Sequence, residues 1–187
     1  HLEKYGVENL GVCLIEEGLI LRTSGVKSNI LVFRGFDKYG AQKIVDLQMT
    51  PVVSQWDQIH ILESVVDDCV EVHLKFNTGM NRLGFSPNEA EALFKHFKNS
   101  KKLKLKAIFS HLYNGEDAFK KDGDSSRQAK AMLELFTFFK PLDIYVHLLN
   151  SGGIASLVQV QAESANTNPD HFLKQTPWGL RPGLILY

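Results

Sequence analysis

Lys75 and Arg82 stand seven positions apart in Val70-Glu-Val-His-Leu-Lys-Phe-Asn-Thr-Gly-Met-Asn-Arg-Leu-Gly-Phe85, the lysine inside a strand-like run and the arginine beyond a glycine turn. Val72, Leu74 and Phe76 alternate with His73, Lys75 and Asn77, so the two faces of the strand differ. A positive charge on an enclosed face needs a partner, because an unpaired buried charge is very costly. A strand with a polar inward face that ends in a glycine turn fits an active-site strand of an α/β barrel. Other polar groups recur where strand-like runs stop: Asn77 and Thr78, His111, Asn150 and Ser151, then Arg181, Gly183 and Leu184. This set is mostly cationic and holds no pair of acids. It suits an anionic ligand and does not suit two-carboxylate hydrolysis.

Ser151-Gly152-Gly153 opens a short helix directly after a strand, so its hydroxyl and backbone N–H groups could cradle a phosphate. Ser151 reads equally well as a helix N-cap, and the two roles are compatible. Pro182-Gly183 would expose further N–H groups. His111 reads as a structural or a catalytic histidine, while His73 and His147, in mid-strand, read as structural. The Lys-rich run 98–106 reads as a solvated helix end leading into a strand. The aromatic run 133–139 reads as a helix burying one face in the barrel wall.

The elements that must position these groups alternate along the chain. Strands are predicted at 9–14 (buried), 30–33, 50–54, 70–77, 105–111 and 144–149, and 180–187 reads as a turn leading into a seventh. Helices are predicted at 16–24 (stopped by Gly25), 37–46, 55–66, 86–99 and 125–140. Ser86-Pro87-Asn88-Glu89 is a capping box with Pro in the first turn. Residues 112–124 and 161–177 read as loops. Regular βα alternation argues for parallel strands. Seven short strands with no GxGxxG after the first favour a (β/α)8 TIM-type barrel over a doubly wound sheet. Barrels of this kind place their sites at the C-terminal ends of the strands, often with a phosphate site after strands 7 and 8.

The 187 residues allow one domain with a sizeable core, and 44% hydrophobic and 22% charged residues are ordinary values for a globular protein. Lys plus Arg and Asp plus Glu balance at 21 each, so charge gives no reason to expect nucleic acid or an anionic membrane as partner. Cys13 and Cys69 lack a metal spacing and read as free buried thiols in a reducing compartment, with no metal site. No apolar run is long enough to span a bilayer and no signal peptide is evident, so a cytoplasmic protein is expected. The chain starts with His and stops at Tyr187 inside an apolar run. The expectation is a piece of a longer protein, with residues 1–187 a partial barrel lacking its first strand. Such a piece should have open strand edges and aggregate when isolated.

Four motifs then fall in register. His73-Leu-Lys-Phe-Asn-Thr-Gly-Met-Asn-Arg-Leu-Gly-Phe85 resembles the signature around the active-site Lys and Arg of bacterial alanine racemases. Phe109-Ser-His111, His147-Leu-Leu-Asn-Ser151 and Leu180-Arg-Pro-Gly-Leu-Ile-Leu-Tyr187 look like the later barrel motifs of that family, in the right order. The resemblance implies a fold-type III pyridoxal 5′-phosphate (PLP) barrel that interconverts L- and D-alanine for peptidoglycan synthesis, as a homodimer whose site the partner subunit completes. By similarity, Arg181 would hydrogen-bond the pyridine nitrogen. His111 would support Arg181 and a catalytic Tyr of the partner. Arg82 would contact the phenolic oxygen and the substrate carboxylate. Asn150, Ser151, Gly183 and Leu184 would serve the phosphate, and Lys75 would match a lysine that is carbamylated in many members. Asn77 stands where the family commonly has Asp, and Asn81 where Gly is frequent. The Schiff-base lysine and the second base, a Tyr of a C-terminal β domain, would lie before and after this chain, so the piece alone would be inactive. The alternatives are a non-catalytic PLP-binding homeostasis barrel, or a racemase or decarboxylase of this fold with another amino-acid substrate.

Overall fold

The computed structural model describes residues 2–118, 123–163 and 178–183. They form two compact units. The first comprises the described residues up to Leu74 with Asn99–Leu105, and the second comprises Lys75–Lys98 with the described residues from Lys106 onward. Every paired strand is parallel to its neighbour, and neighbours are consecutive in the chain.

In the first unit, β1 (Asn9–Val12), β2 (Asn29–Val32), β3 (Thr50–Val53) and β4 (Val70–Lys75, as far as Leu74) lie side by side. The helices α1 (Ile15–Thr23), α2 (Lys38–Asp46) and α3 (Trp56–Val65) connect them. Two of the helix ends have a local cause. Asp37 caps α2 by accepting from the Gly40 N–H at 2.7 Å. Gly25, at φ +84°, takes the left-handed position just past α1. Ile30, Val32, Ile44 and Met49 are the buried centre, with Val12, Ile15 and Leu21 packed against it. Arg22 ties the helix ends to the strand starts, donating to the carbonyls of Val26, Ser28, Leu47 and Gln48 at 2.7–3.0 Å.

The second unit carries the inner half of β5 (Leu103–Phe109), β6 (Tyr145–His147) and β7 (Trp178–Gly179), with α4 (Ala90–Asn99), α5 (Asp124–Phe139) and α6 (Ser151–Glu163). The capping box forms as expected: Ser86 N–H donates to Glu89 at 2.8 Å and Ser86 Oγ accepts from Asn88 N–H. It starts a 3-10 turn, Pro87–Glu89, that runs into α4. Phe76 and Phe139 are fully buried with ring centroids 5.7 Å apart, and Phe94 meets Phe139 edge-on. The aromatic run of α5 thus buries Leu135, Phe136 and Phe139 while Phe138 stays exposed.

Several sequence expectations need correction. β1 is not buried; its residues alternate between exposed and half-buried, because among the described residues it pairs on one side only. Both cysteines are exposed, because Cys13 lies just past the end of β1 and Cys69 just ahead of β4, after Asp67-Asp68. β5 starts and stops two residues earlier than predicted, so His111 lies beyond its end. α6 is a helix of 13 residues running to Glu163, into the start of the expected loop; residues 164–177 lie outside the described set. β7 is Trp178–Gly179, ahead of the predicted turn: Val146 pairs with Trp178 and His147 with Gly179. Pro182 has no N–H to donate, which suits a segment leaving the sheet. Residues 184–187, where the seventh strand was expected, lie outside the described residues.

Candidate active site

The turn after β4 is closed on itself. Phe85 returns to the strand end, where its N–H donates to the Lys75 carbonyl at 2.8 Å and its carbonyl accepts from Asn77 N–H at 2.9 Å. Gly84 makes this return possible. Its φ is +129°, and a Cβ there would sit 2.7 Å from Asn77 N and Phe76 C. Inside the turn, Asn77 Oδ1 accepts from the Gly79 and Asn81 N–H groups at 3.2 and 2.9 Å, and Asn77 Nδ2 donates to Asn81 Oδ1 at 3.1 Å. Arg82 sits exposed on this clamped turn, and Lys75 is buried at its base.

Lys75 Nζ lies 5.7 Å from the centroid of the Phe109 ring, and Arg181 Cζ lies 5.3 Å from it. The ring itself stacks on His147, with centroids 4.4 Å apart and ring planes nearly parallel. Phe109 therefore offers its π face to two cations, an attraction that grows as water is removed. Arg181 is fixed from three directions. Its N–H donates to the Leu149 carbonyl, and its Nη2 donates to the carbonyls of Ser110 and Leu148 at 2.6 and 3.0 Å. Its Nε is buried and has no hydrogen-bond partner among the described residues.

The electrostatics follow from gathering cations in a partly closed place. Burial, with the charges of Arg181, Arg82 and Lys75, pushes the half-buried His111 down to about 4. Burial, then Arg82 and Arg181, lowers Lys75. Burial pushes Arg181 down to about 10. Lys75, Arg82, His111 and Arg181, singled out from sequence, are thus near enough to act on one another's charge. His111 is held neutral, and the remaining field is positive and calls for an anion.

Asn150, Ser151 and Gly183 form a second group. Asn150 is the N-cap of α6: its Oδ1 accepts from Gly153 N–H at 3.0 Å, and its carbonyl accepts from Ile154 N–H. Ser151 is therefore the first helical residue and not the cap. Ser151 Oγ accepts from Gly183 N–H at 3.1 Å, which joins the loop after β6 to the loop after β7. Gly152 and Gly153 serve close packing, since a Cβ on Gly153 would meet Leu112 Cδ1 at 2.9 Å and one on Gly152 would meet Gly115 Cα at 3.3 Å. Leu184, the remaining phosphate candidate, lies outside the described residues.

Gln128 joins these residues without belonging to any of the sequence motifs. It sits on the apolar stripe of α5 with Met132, Leu135, Phe136 and Phe139, and is 2% exposed. An amide placed within a buried stripe was the available signal. A cavity of 590 Å³ in the first unit, lined by Arg34, Asp37, Tyr39, Lys43 and Gln58 among others, contains none of the residues singled out for chemistry.

Residues 1–187 match the family described as Alanine racemase, N-terminal domain. The chain belongs to this family. The alanine racemase of Helicobacter pylori (strain P12) is 31% identical over 187 residues, covering 97% of this chain and 47% of the relative. That of Borreliella burgdorferi (strain ZS7) is 28% identical over 192 residues, covering 100% of this chain and 47% of the relative. The chain thus spans about half the length of the curated relatives it matches. Among solved structures, the alanine racemase of Clostridium difficile 630 superposes with a TM-score of 0.79 at 20% identity, over 100% of this chain and 46% of that one. The alanine racemase of Bartonella henselae with covalently bound pyridoxal phosphate gives 0.77 at 24% identity, over 100% and 50%. At these identities the likeness is one of fold, and it identifies the βα alternation as part of a TIM-type barrel. In this alanine racemase domain the two departures from the expected motif have simple accounts. Asn77 accepts two turn N–H groups, as an Asp could. Asn81 has φ +53°, which Gly adopts freely and Asn tolerates better than most residues.

Proposed function

We propose that the protein carrying this domain is a PLP-dependent alanine racemase. The single observation that carries the proposal is the cationic cluster of Lys75, Arg82 and Arg181 around a neutral His111, in a chain of the alanine racemase family. PLP, when bound, supplies an electron sink that acidifies the Cα–H of an amino acid.

The residues present fit that group. Arg181 Nε is a buried donor lacking a partner among the described residues. A guanidinium can only donate, so a pyridine nitrogen placed against it must be the unprotonated acceptor. Ser151 Oγ and Gly183 N–H would hold the phosphate, with Asn150 fixing the helix start beneath them, and Leu184 would add its N–H by resemblance. Arg82 would face the phenolic oxygen and the substrate carboxylate. His111, kept neutral, would support Arg181 without adding a charge. These groups bind and orient, and the proton transfers are not assigned to them.

Lys75 is the modification candidate. Burial and two neighbouring cations favour its free amine, and a free amine adds to CO2: the N–C bond forms, one C–O π bond opens and a proton leaves. The product is an anion beside Arg82, which would replace a repulsion with an ion pair. The assembly we propose is a cytoplasmic homodimer that supplies D-alanine for peptidoglycan.

Two measurements test this. The full-length protein incubated with PLP should show the visible absorption of the bound cofactor and should convert either alanine enantiomer to the racemate. PLP binding without turnover of any amino acid would sink the racemase reading. Isotope-labelled bicarbonate should give a carbamate NMR signal that disappears in Lys75→Gln, and an unmodified amine at Lys75 would sink the carbamate.

A further inference from the structure

We infer that Gln128 is the positioning residue that holds the Arg82 turn and the His111 segment in one register. Among the described residues its side chain makes three hydrogen bonds, and each reaches another segment. Its Nε2 donates to the His111 carbonyl at 2.9 Å and to Thr78 Oγ1 at 3.3 Å, and its Oε1 accepts from Tyr113 N–H at 2.8 Å. Thr78 Oγ1 in turn shares a 2.7 Å hydrogen bond with Ser110 Oγ, and the Ser110 carbonyl is the acceptor for Arg181. The turn also rests on the side chain: Gly79 adopts φ +147°, and a Cβ there would lie 3.3 Å from Gln128 Cγ.

Gln128 is 2% exposed on a buried helix face that it shares with Ser125, Ala129, Met132, Leu135, Phe136 and Phe139. A buried amide must find partners, and those that Gln128 makes among the described residues belong to the turn after β4 and the segment after β5. Displacing either segment would leave a buried donor or acceptor unmet. A rigid amide plane with both ends engaged therefore couples the two segments, one bearing Arg82 and the other His111. Gln128 touches none of the cationic groups and no atom proposed to react, so its part is geometric.

The consequence for cofactor binding rests on the racemase reading, but the positioning itself does not, so the two are tested separately. In the full-length protein, amide hydrogen exchange is followed in Gln128→Leu, in Thr78→Val and in the α5 control Leu135→Ala. Gln128→Leu should speed exchange about tenfold or more in peptides spanning 77–83 and 110–114, and Thr78→Val should do so for 77–83 only. Leu135→Ala, a cavity variant, should lower the melting temperature without singling out those peptides. Gln128→Glu offers a rescue: protonated, the new side chain can still donate to the His111 carbonyl, and ionised it cannot. Its two peptides should be protected at low pH and lose protection as pH rises. PLP affinity should fall about tenfold in Gln128→Leu relative to Leu135→Ala. Unchanged exchange in both peptides, or loss indistinguishable from Leu135→Ala, overturns the inference. If Gln128→Leu does not fold, Thr78→Val and the pH profile of Gln128→Glu decide it. A wild-type protein that binds no PLP overturns the racemase reading and leaves the exchange result to stand alone.

Discussion

Arg181 and His111 show how one residue's surroundings set its chemistry. Arg181 Nη2 donates to two main-chain carbonyls, those of Ser110 and Leu148. Lysine would keep a charge but could not reproduce the planar fork. Arg181→Lys in the full-length protein should cost about 2–4 kcal/mol, read as a lower urea midpoint at unchanged slope. His111 carries a pH signature. Unfolded, it takes up its proton near the ordinary value of 6.5, and folded only at about 4. Between those values the unfolded state binds more protons, so stability is intact above 6.5 and is lost as pH falls toward about 4. His111 is only half-buried, so solvent screens part of this effect and the loss should be on the order of 1–2 kcal/mol, less than the full shift would give. His111→Gln should flatten the stability profile between pH 6.5 and 4; an unchanged slope would show that His111 is not held neutral.

At the scale of the element, the turn after β4 is organised by two residues that bear no charge. Gly84 lets the chain pass against the strand end, and Gly84→Ala would place a Cβ against Asn77 N and Phe76 C in an unfavourable φ. A loss of about 2–4 kcal/mol is expected. Asn77 clamps the turn from inside, so Asn77→Ala should cost about 1–2 kcal/mol. Asn77→Asp keeps the two accepted N–H groups and should cost less. Thermal melts of the three variants, ranked Gly84→Ala, Asn77→Ala, Asn77→Asp from worst to best, check the account, and equal effects would refute it.

For the whole molecule, charge is balanced at 21 basic and 21 acidic residues. Anion binding therefore cannot come from a global field and must come from the local cluster of Lys75, Arg82 and Arg181. Simple salt screens exposed charges over a Debye length of about 10 Å at 0.1 M, but screens enclosed ones much less. PLP binding to the full-length protein should therefore weaken only modestly when chloride is added. Inorganic phosphate should compete directly for the Ser151 and Gly183 groups. A competition titration in which chloride and phosphate act equally at matched ionic strength would contradict this. No helix among the described residues is long and apolar enough to cross a membrane.

The sequence by itself determined the local and periodic features. The βα alternation, the Ser86–Glu89 capping box, the stop at Gly25 and the buried aromatic stripe of α5 each depend on residues a few positions apart, and each formed. Lys75, Arg82, His111 and Arg181 were legible because polar residues recur where strand runs end. What the sequence could not decide were matters settled by partners distant in the chain. Ser151 takes the Gly183 N–H because the loop after β7 arrives there. The cysteines are exposed although each borders a strand, since local hydropathy does not specify which side of an element is covered. β7 lies at Trp178–Gly179 because its register is set by pairing with β6. Gln128 acquired its role only when three segments separated by up to 50 residues met around one amide. Hydrogen-bond satisfaction inside a core is a property of the assembled molecule, and no window of sequence contains it.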